Sequence, residues 1–488
     1  MDIKKIKTLG DLKASDYKPK TIKEEMRDNL ILKMQEGENV FADIHGYQDT
    51  VIPNLERAIL SKHNILLLGL RGQAKTRIAR TLTQLLDEYI PVVKGSEIND
   101  DPFEPISYFA KETIKDNGDK TEIIWKHRDE RYIEKLATPD VSVSDLIGDV
   151  DPIKAASLKL NYSDERVIHF GLIPRSHRCI FVINELPDLQ ARIQVSLFNI
   201  LEEEDLQIRG FTFRFPLDIQ FLFTANPEDY TNRGSIVTPL KDRIESQILT
   251  HYPKELEIAK TITKQEANIH GNVAGNIHIP EIIRDILERV VFHARISDYI
   301  DTNSGVSARM SISAMENLVS TAERRMLLNK EKSTKIRISD FWGIIPSITG
   351  KMELVYEGEQ MGSQNIALHL IEQAIKETFN ACFPDPNLEM KKENDIYGVI
   401  RAWFQGGNTV TIGHDISTKA YEKSLKDIEG ADKLIKLYQS RGKTTEQDEL
   451  ILKELLMHGL SAHEVISKDV VSGGLNFIDP LAGMLTDF

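Results

Sequence analysis

An apolar run that stops at a glycine and then delivers Lys-Thr constrains this chain more than any other feature. Residues Asn64 to Thr76, NILLLGLRGQAKT, read as a short buried strand, a Gly-rich turn and the opening of a helix. A turn of this kind points backbone N–H groups inward at the positive end of a helix dipole, an arrangement suited to holding a polyphosphate. The spacing lets Lys75 reach β- and γ-phosphates and lets Thr76 offer its hydroxyl to Mg²⁺, as in the pattern G-x-x-x-x-G-K-[ST]. Gly69 meets the first glycine of that pattern, and Ala74 replaces the second. Leu70, Arg71, Gly72, Gln73 and Arg77 complete the expected cradle. A purely structural strand-to-helix turn is the alternative, but here the turn also opens the amphipathic stretch Thr76 to Tyr89, read as a helix.

Downstream, CIFVINELPDL is a second buried strand, and it ends in Asn184 and Glu185. In P-loop ATPases this place carries an aspartate that holds the Mg²⁺ water shell and a glutamate that orients or deprotonates the attacking water. Asn184 can still accept from a Mg²⁺-bound water but brings no charge, so weaker metal binding is expected; Glu185 is retained as the base. The next strand runs into TANPEDY and sets Asn226 where a polar side chain can bridge the water and the γ-phosphate. TPLKDRIESQ supplies Arg243. By itself such an arginine is solvated or paired with a neighbour such as Asp242, but in a ring of subunits it can reach the neighbouring copy's γ-phosphate. Arg309, in GVSARMS, opens a helix that can close onto the phosphates.

At 488 residues the chain is long enough for several domains. Residues 1–38 read as a polar helical arm that ends at Gly37. Residues 39–254 alternate strands with helices, which implies a parallel sheet covered on both faces. From 255 to 382 only helical periodicity remains, and the Pro-containing stretch CFPDPNLEMKKEND marks a boundary. Residues 395–488 read as a small, mostly helical domain, with a helix capped after Thr444-Thr445 and ending at Gly459. A net charge of −14 argues against non-specific wrapping of nucleic acid. The apolar runs are far too short for membrane insertion, and the N-terminal residues carry no apolar signal segment, so a cytoplasmic location is expected. Cys179 and Cys382 frame neither a disulfide scaffold nor a zinc site. The acidic run Asp140, Asp145, Asp149 and Asp151 lacks the order of a calcium loop, and His127, His169 and His177 show no ligand spacing.

Taken in order over residues 40–380, these motifs resemble those of the AAA+ ATPases, specifically the MoxR and magnesium-chelatase I-subunit branch. The resemblance implies an α/β fold: a P-loop αβα core with a parallel sheet, a helical lid domain, and here a C-terminal domain without a counterpart. Gly69 to Thr76 resemble Walker A, Asn184-Glu185 Walker B, Asn226 sensor 1, Arg243 the arginine finger and Arg309 sensor 2. FADIHGYQDT is similar to the stretch that lines the adenine pocket with backbone around Ile44 and Gly46. Two further segments are similar to inserts of this branch: residues 140–178 to the helix-2 insert and residues 203–217 to the hairpin before sensor 1.

The resemblance implies ATP and Mg²⁺ as cofactors, a homo-oligomeric, hexameric ring, and remodelling of a partner protein that carries a von Willebrand A domain on a separate chain. Two other functions fit the same motifs. One is a nucleotide-gated assembly module with little turnover, motivated by Asn184; the other is the motor subunit of a tetrapyrrole metal chelatase.

Overall fold

The computed structural model describes residues 3–161, 164–208, 214–227, 234–269, 271, 275–439, 448–471 and 473–480. It divides into two compact units, Met1–Tyr252 and Pro253–Phe488.

The first unit is built on five parallel strands: β1 (Ile65–Leu68), β2 (Tyr132–Leu136), β3 (Cys179–Asn184), β4 (Ile219–Ala225) and β5 (Ser246–Leu249). Their spatial order is β5-β1-β4-β3-β2. Every residue of β1, β3 and β4 is buried, because both faces of the sheet are covered; apolar side chains fill most of these positions, and Asn184, Gln220 and Thr224 are buried polar exceptions. Alternate residues feed two separate cores. Leu66, Leu68, Phe181, Ile183, Phe221 and Phe223 belong to one; Ile65, Leu67, Ile180, Val182 and Leu222 belong to the other. In the first core the Phe221 and Phe223 rings stack at 5.9 Å, and Phe181 meets Phe221 edge-on. Truncating one of these rings to alanine would cost about 3–5 kcal/mol.

Three helices cover the second core: α1 (Ile22–Glu36), α2 (Val51–Leu60) and α3 (Lys75–Thr81). The Thr21 side chain caps α1 in a reciprocal box with Glu24, and Gly37 ends the helix with a left-handed φ of 73°. Ile22, Met26 and Leu30 recur every four residues and so put one face of α1 into the core. Beside them the buried Glu25 carboxylate takes both arms of the buried Arg131 guanidinium, at 2.6 and 2.7 Å. The N-terminal arm is therefore locked to the residue that leads into β2.

The helix expected over Thr76 to Tyr89 is shorter. It tightens into a 3₁₀ turn over Leu82–Leu85, and Tyr89–Val93 is already a strand, paired antiparallel with Ile123–His127. Side chains of α1 end it: Glu25 accepts from the Asp87 N–H, and Asn29 donates to the Leu85 carbonyl and to Asp87 Oδ1. Within residues 140–178, Gly148–Val150 pairs with Ile168–Phe170, and at 203–217 Asp205–Leu206 pairs with Phe215–Pro216. Residues 209–213 of the latter hairpin lie outside the described residues.

The second unit packs α4 (Glu281–Ile296), α5 (Arg309–Leu328), α6 (Ser363–Cys382) and α7 (Glu449–Ala462) into one apolar cluster. An antiparallel sheet of β6 (Val410–Gly413), β7 (Ser467–Val471) and β8 (Gly474–Ile478), in the order β6-β8-β7, joins the same cluster. The Pro-containing stretch 382–395 lies inside this unit. Phe383 and Tyr397 are buried in the shared cluster, and the Tyr397 hydroxyl donates to the Pro384 carbonyl at 2.7 Å. Gly459 does not end its helix, which runs on to Ala462. A Cβ there would lie 2.0 Å from a ring carbon of Phe379, so the glycine serves the close approach of α7 to α6 rather than a cap. The expected cap at Thr444-Thr445 lies outside the described residues. Among the described residues no helix is long and apolar enough to cross a membrane.

Candidate functional site: a braced loop at the carboxyl edge of the sheet

β1 ends at Leu68, and the Gly69 N–H bonds the Ala225 carbonyl at the end of β4, so the loop starts from the carboxyl edge of the sheet. In open parallel sheets this is the edge at which ligands bind. Gly72 and Ala74 both take positive φ, 72° and 57°, with Gln73 between them. Alternation of backbone hand turns successive N–H groups toward one point, and the result is a concavity that suits an anion. Ala74 carries the strain of that shape, since a left-handed L-residue costs roughly 1–2 kcal/mol where glycine costs little.

Three side chains from outside the loop hold it. The Tyr47 hydroxyl lies 3.0 Å from the Gln73 carbonyl and 2.8 Å from the His251 carbonyl, the Thr250 hydroxyl donates to Gln73 Oε1 at 2.7 Å, and the Tyr252 hydroxyl donates to the Arg71 carbonyl at 2.8 Å. Burial raises the Tyr47 pKa, which keeps its hydroxyl a neutral donor. A Cβ on Gly69 would meet Thr250 Oγ1 at 2.0 Å and Gln73 Oε1 at 2.2 Å, so only glycine admits this brace. Ile44 is buried in the core under α1 and α2, and Gly46 takes a φ of 81°. Thr76 and Arg77 are half-buried on α3, Leu70 is half-buried, and Arg71 is exposed.

The Lys75 ammonium is buried within the loop. Its partners include the carbonyls of Gly69 and Leu70 and, at 2.8 Å, Asn226 Oδ1. The other end of the Asn226 amide donates to Glu185 Oε2 at 3.2 Å. One asparagine thus ties the loop lysine to the carboxylate after β3. Glu185 itself stands at a left-handed φ of 55°, with its N–H bonded to Thr224 Oγ1 at 3.1 Å. Backbone strain of this kind survives only where the surroundings fix it, as here. The Thr224 hydroxyl donates to Asn184 Oδ1 at 3.1 Å, and Asn184 Nδ2 donates to Glu134 on β2.

Lys75, Asn184, Glu185 and Asn226 therefore form one connected set. Arg243 belongs to another: its Nε donates to Glu202 at 2.7 Å, and its guanidinium lies 4.9 Å from the centre of the Phe198 ring. Arg309 is exposed in the first turn of α5, in the second unit. The sequence reading missed the braces Tyr47, Thr250 and Tyr252. Only Tyr47 carried a signal, since it sits in the segment already singled out for Ile44 and Gly46. Glu134 was also missed, because nothing local to it marks a site. Among the described residues no cluster of three His, Cys, Asp or Glu side chains forms a metal centre. The donors present, a threonine hydroxyl and an amide beside carboxylates, suit Mg²⁺ that brings its own phosphate and water ligands.

No family model matches the chain, and no curated protein matches it. Solved structures do. A candidate ATPase of Cytophaga hutchinsonii is 18% identical, over 72% of this chain and 95% of that one, with a TM-score of 0.31. The complex between subunits BchI and BchD of magnesium chelatase is similar at 19% identity, over 66% of this chain and 98% of that one, with a TM-score of 0.33. NtrX of Brucella abortus, in complex with ADP, is 14% identical over 78% of this chain and 67% of its own, with a TM-score of 0.38. Likenesses this loose transfer no function.

Proposed function

We propose that the chain is an ATP-binding and ATP-hydrolysing motor of the AAA+ type, in the MoxR and magnesium-chelatase I-subunit branch. The observation that carries this reading is the bridge of Asn226 between Lys75 and Glu185, which links a phosphate-binding cation to a general base through a residue able to sense both. The strand order β5-β1-β4-β3-β2 supports it, because the loop, Glu185 and Asn226 leave the sheet from strands that lie side by side.

ATP with Mg²⁺ supplies the phosphoanhydride whose cleavage drives the cycle. In the proposed mechanism the Gly69–Ala74 backbone and Lys75 grip the phosphates, and Lys75 exchanges the Gly69 and Leu70 carbonyls for phosphate oxygens. Thr76 and Asn184 would hold the Mg²⁺, which would supply charge neutralisation at the phosphates. Glu185 accepts the proton of the attacking water while Asn226 holds its carboxylate in line. Arg243 from the next copy in a hexameric ring, free to leave Glu202, stabilises charge that develops on the γ-phosphate, and Arg309 couples the helical domain to nucleotide state. The motor would act on a separate partner bearing a von Willebrand A domain.

The test compares two variants with the wild type. Lys75→Ala should lose nucleotide binding, whereas Glu185→Gln should bind ATP, assemble and fail to turn it over. Asn184 favours a second reading, a nucleotide-gated assembly module with little turnover. Wild-type ATP hydrolysis no faster than that of Glu185→Gln in the assembled state would establish this second reading instead.

A further inference from the structure

The end of β3 lacks a charge at Asn184, but a carboxylate touches that residue from the neighbouring strand. We propose that Glu134 carries the negative charge missing from position 184, and that Glu134 and Asn184 together hold the water shell of nucleotide-bound Mg²⁺. The proposal rests on the ATP reading above and extends it to a residue outside the motifs.

Register puts both side chains on the side of the sheet that bears the loop helix. Glu134 pairs with Val182 and Leu136 with Asn184 across β2 and β3. Val182 packs in the same cluster as Ile78 and Ala79 of α3, so residues of alternate register with it, Asn184 among them, lie on the face of the sheet that α3 covers. Hydrogen bonding then fixes the amide. The Glu185 N–H takes Thr224 Oγ1 as acceptor, the Thr224 proton goes to Asn184 Oδ1, and Asn184 Nδ2 is left to donate to Glu134 Oε1. An aspartate in place of Asn184 would press two carboxylates together, and like charges in contact oppose ionisation of both. With asparagine the pair keeps a single charge, moved one strand over and hydrogen-bonded to the residue that would otherwise bear it.

Arg80 of α3 and the Tyr132 hydroxyl hold the other oxygen, Glu134 Oε2, each at 3.1 Å. Burial and the adjacent Glu134 charge raise the Tyr132 pKa, so the phenol remains a donor. The Glu134 side chain is 24% exposed, which leaves it open to water, while Arg80 at 66% is largely solvated.

The experiment measures the affinity of a fluorescent ADP derivative with and without Mg²⁺, in the full chain, for wild type, Glu134→Gln, Asn184→Asp, the double variant and Arg80→Ala. ADP avoids turnover, and equal metal-free affinities report an intact loop. We expect Glu134→Gln to lose about tenfold or more of the Mg²⁺-dependent gain, and the added Asn184→Asp to return it to within about threefold of wild type. Arg80→Ala should keep the gain. A full Mg²⁺ gain in Glu134→Gln, no recovery in the double variant, or an equal loss in Arg80→Ala would each overturn the proposal; the last would reduce Glu134 to a strut for α3. If the wild type binds no nucleotide under either condition, the ATP reading fails first and takes the proposal with it.

Discussion

Asn226 accepts a hydrogen bond from the Lys75 ammonium at 2.8 Å, across 151 positions of sequence. Its amide nitrogen also donates to Glu185, the proposed base, so a single side chain bridges the lysine and that carboxylate. Asn226→Ala should therefore impair turnover more than binding. We expect kcat to fall by about 10²-fold, within the usual range for a misplaced general base, with the ATP Kd changed by less than about fivefold. Steady-state kinetics beside equilibrium binding checks this; a matched loss in both would make Asn226 a binding residue only.

Ala74 holds a left-handed conformation at which glycine is relaxed. Ala74→Gly should leave stability unchanged or raise it by up to about 1 kcal/mol, since relief of strain is offset in part by added freedom of the unfolded chain. Urea denaturation measures it. A loss beyond about 1 kcal/mol would mean that the Ala74 methyl, packed beside the core under α2, outweighs the strain.

Glu25 and Arg131 are both buried, so removal of one leaves the other charged and dry. Glu25→Ala should destabilise the first unit by about 3–5 kcal/mol, and joint replacement of both residues by apolar ones of similar volume should cost much less. A double-mutant cycle in denaturant separates the two; additive losses would contradict the pairing.

Burial pushes the Glu288 carboxyl from 4.5 up to about 7, against the lowering influence of the Thr263 hydroxyl and of the Arg295 and Lys260 charges. The folded chain then holds a proton that the unfolded chain has released between those values, and stability from this group falls as pH rises through that window. Glu288→Gln should match wild type near pH 4 and exceed it at pH 8 by about 1–3 kcal/mol. Melting curves at the two pH values check it; equal wild-type and variant curves at pH 8 would show that Glu288 is ionised without cost.

The parts of the site legible in the sequence are those encoded in short stretches. NILLLGLRGQAKT and CIFVINE announce strand, turn and polar tip within a few residues, because a strand buried on both faces is mostly apolar and its end turns polar where it meets the loop. What was not legible depends on partners far away. Glu25 meets Arg131 across 106 positions, Tyr47 reaches His251 across 204, and Glu134 meets Asn184 only because β2 and β3 are neighbours in the sheet. Gly459 looked like a helix stop because the ring of Phe379, which requires it, is invisible to local pattern. The end of α3 is hidden from the sequence for the same reason, since Glu25 and Asn29 terminate the segment from another helix.

The most direct test of the central claim is phosphate release from Mg²⁺-ATP by the assembled wild-type chain, measured beside Glu185→Gln at saturating nucleotide. The account predicts wild-type turnover at least about a hundredfold above the variant, both binding ATP equally well. Equal rates in the two proteins, with ATP bound to both, would contradict it.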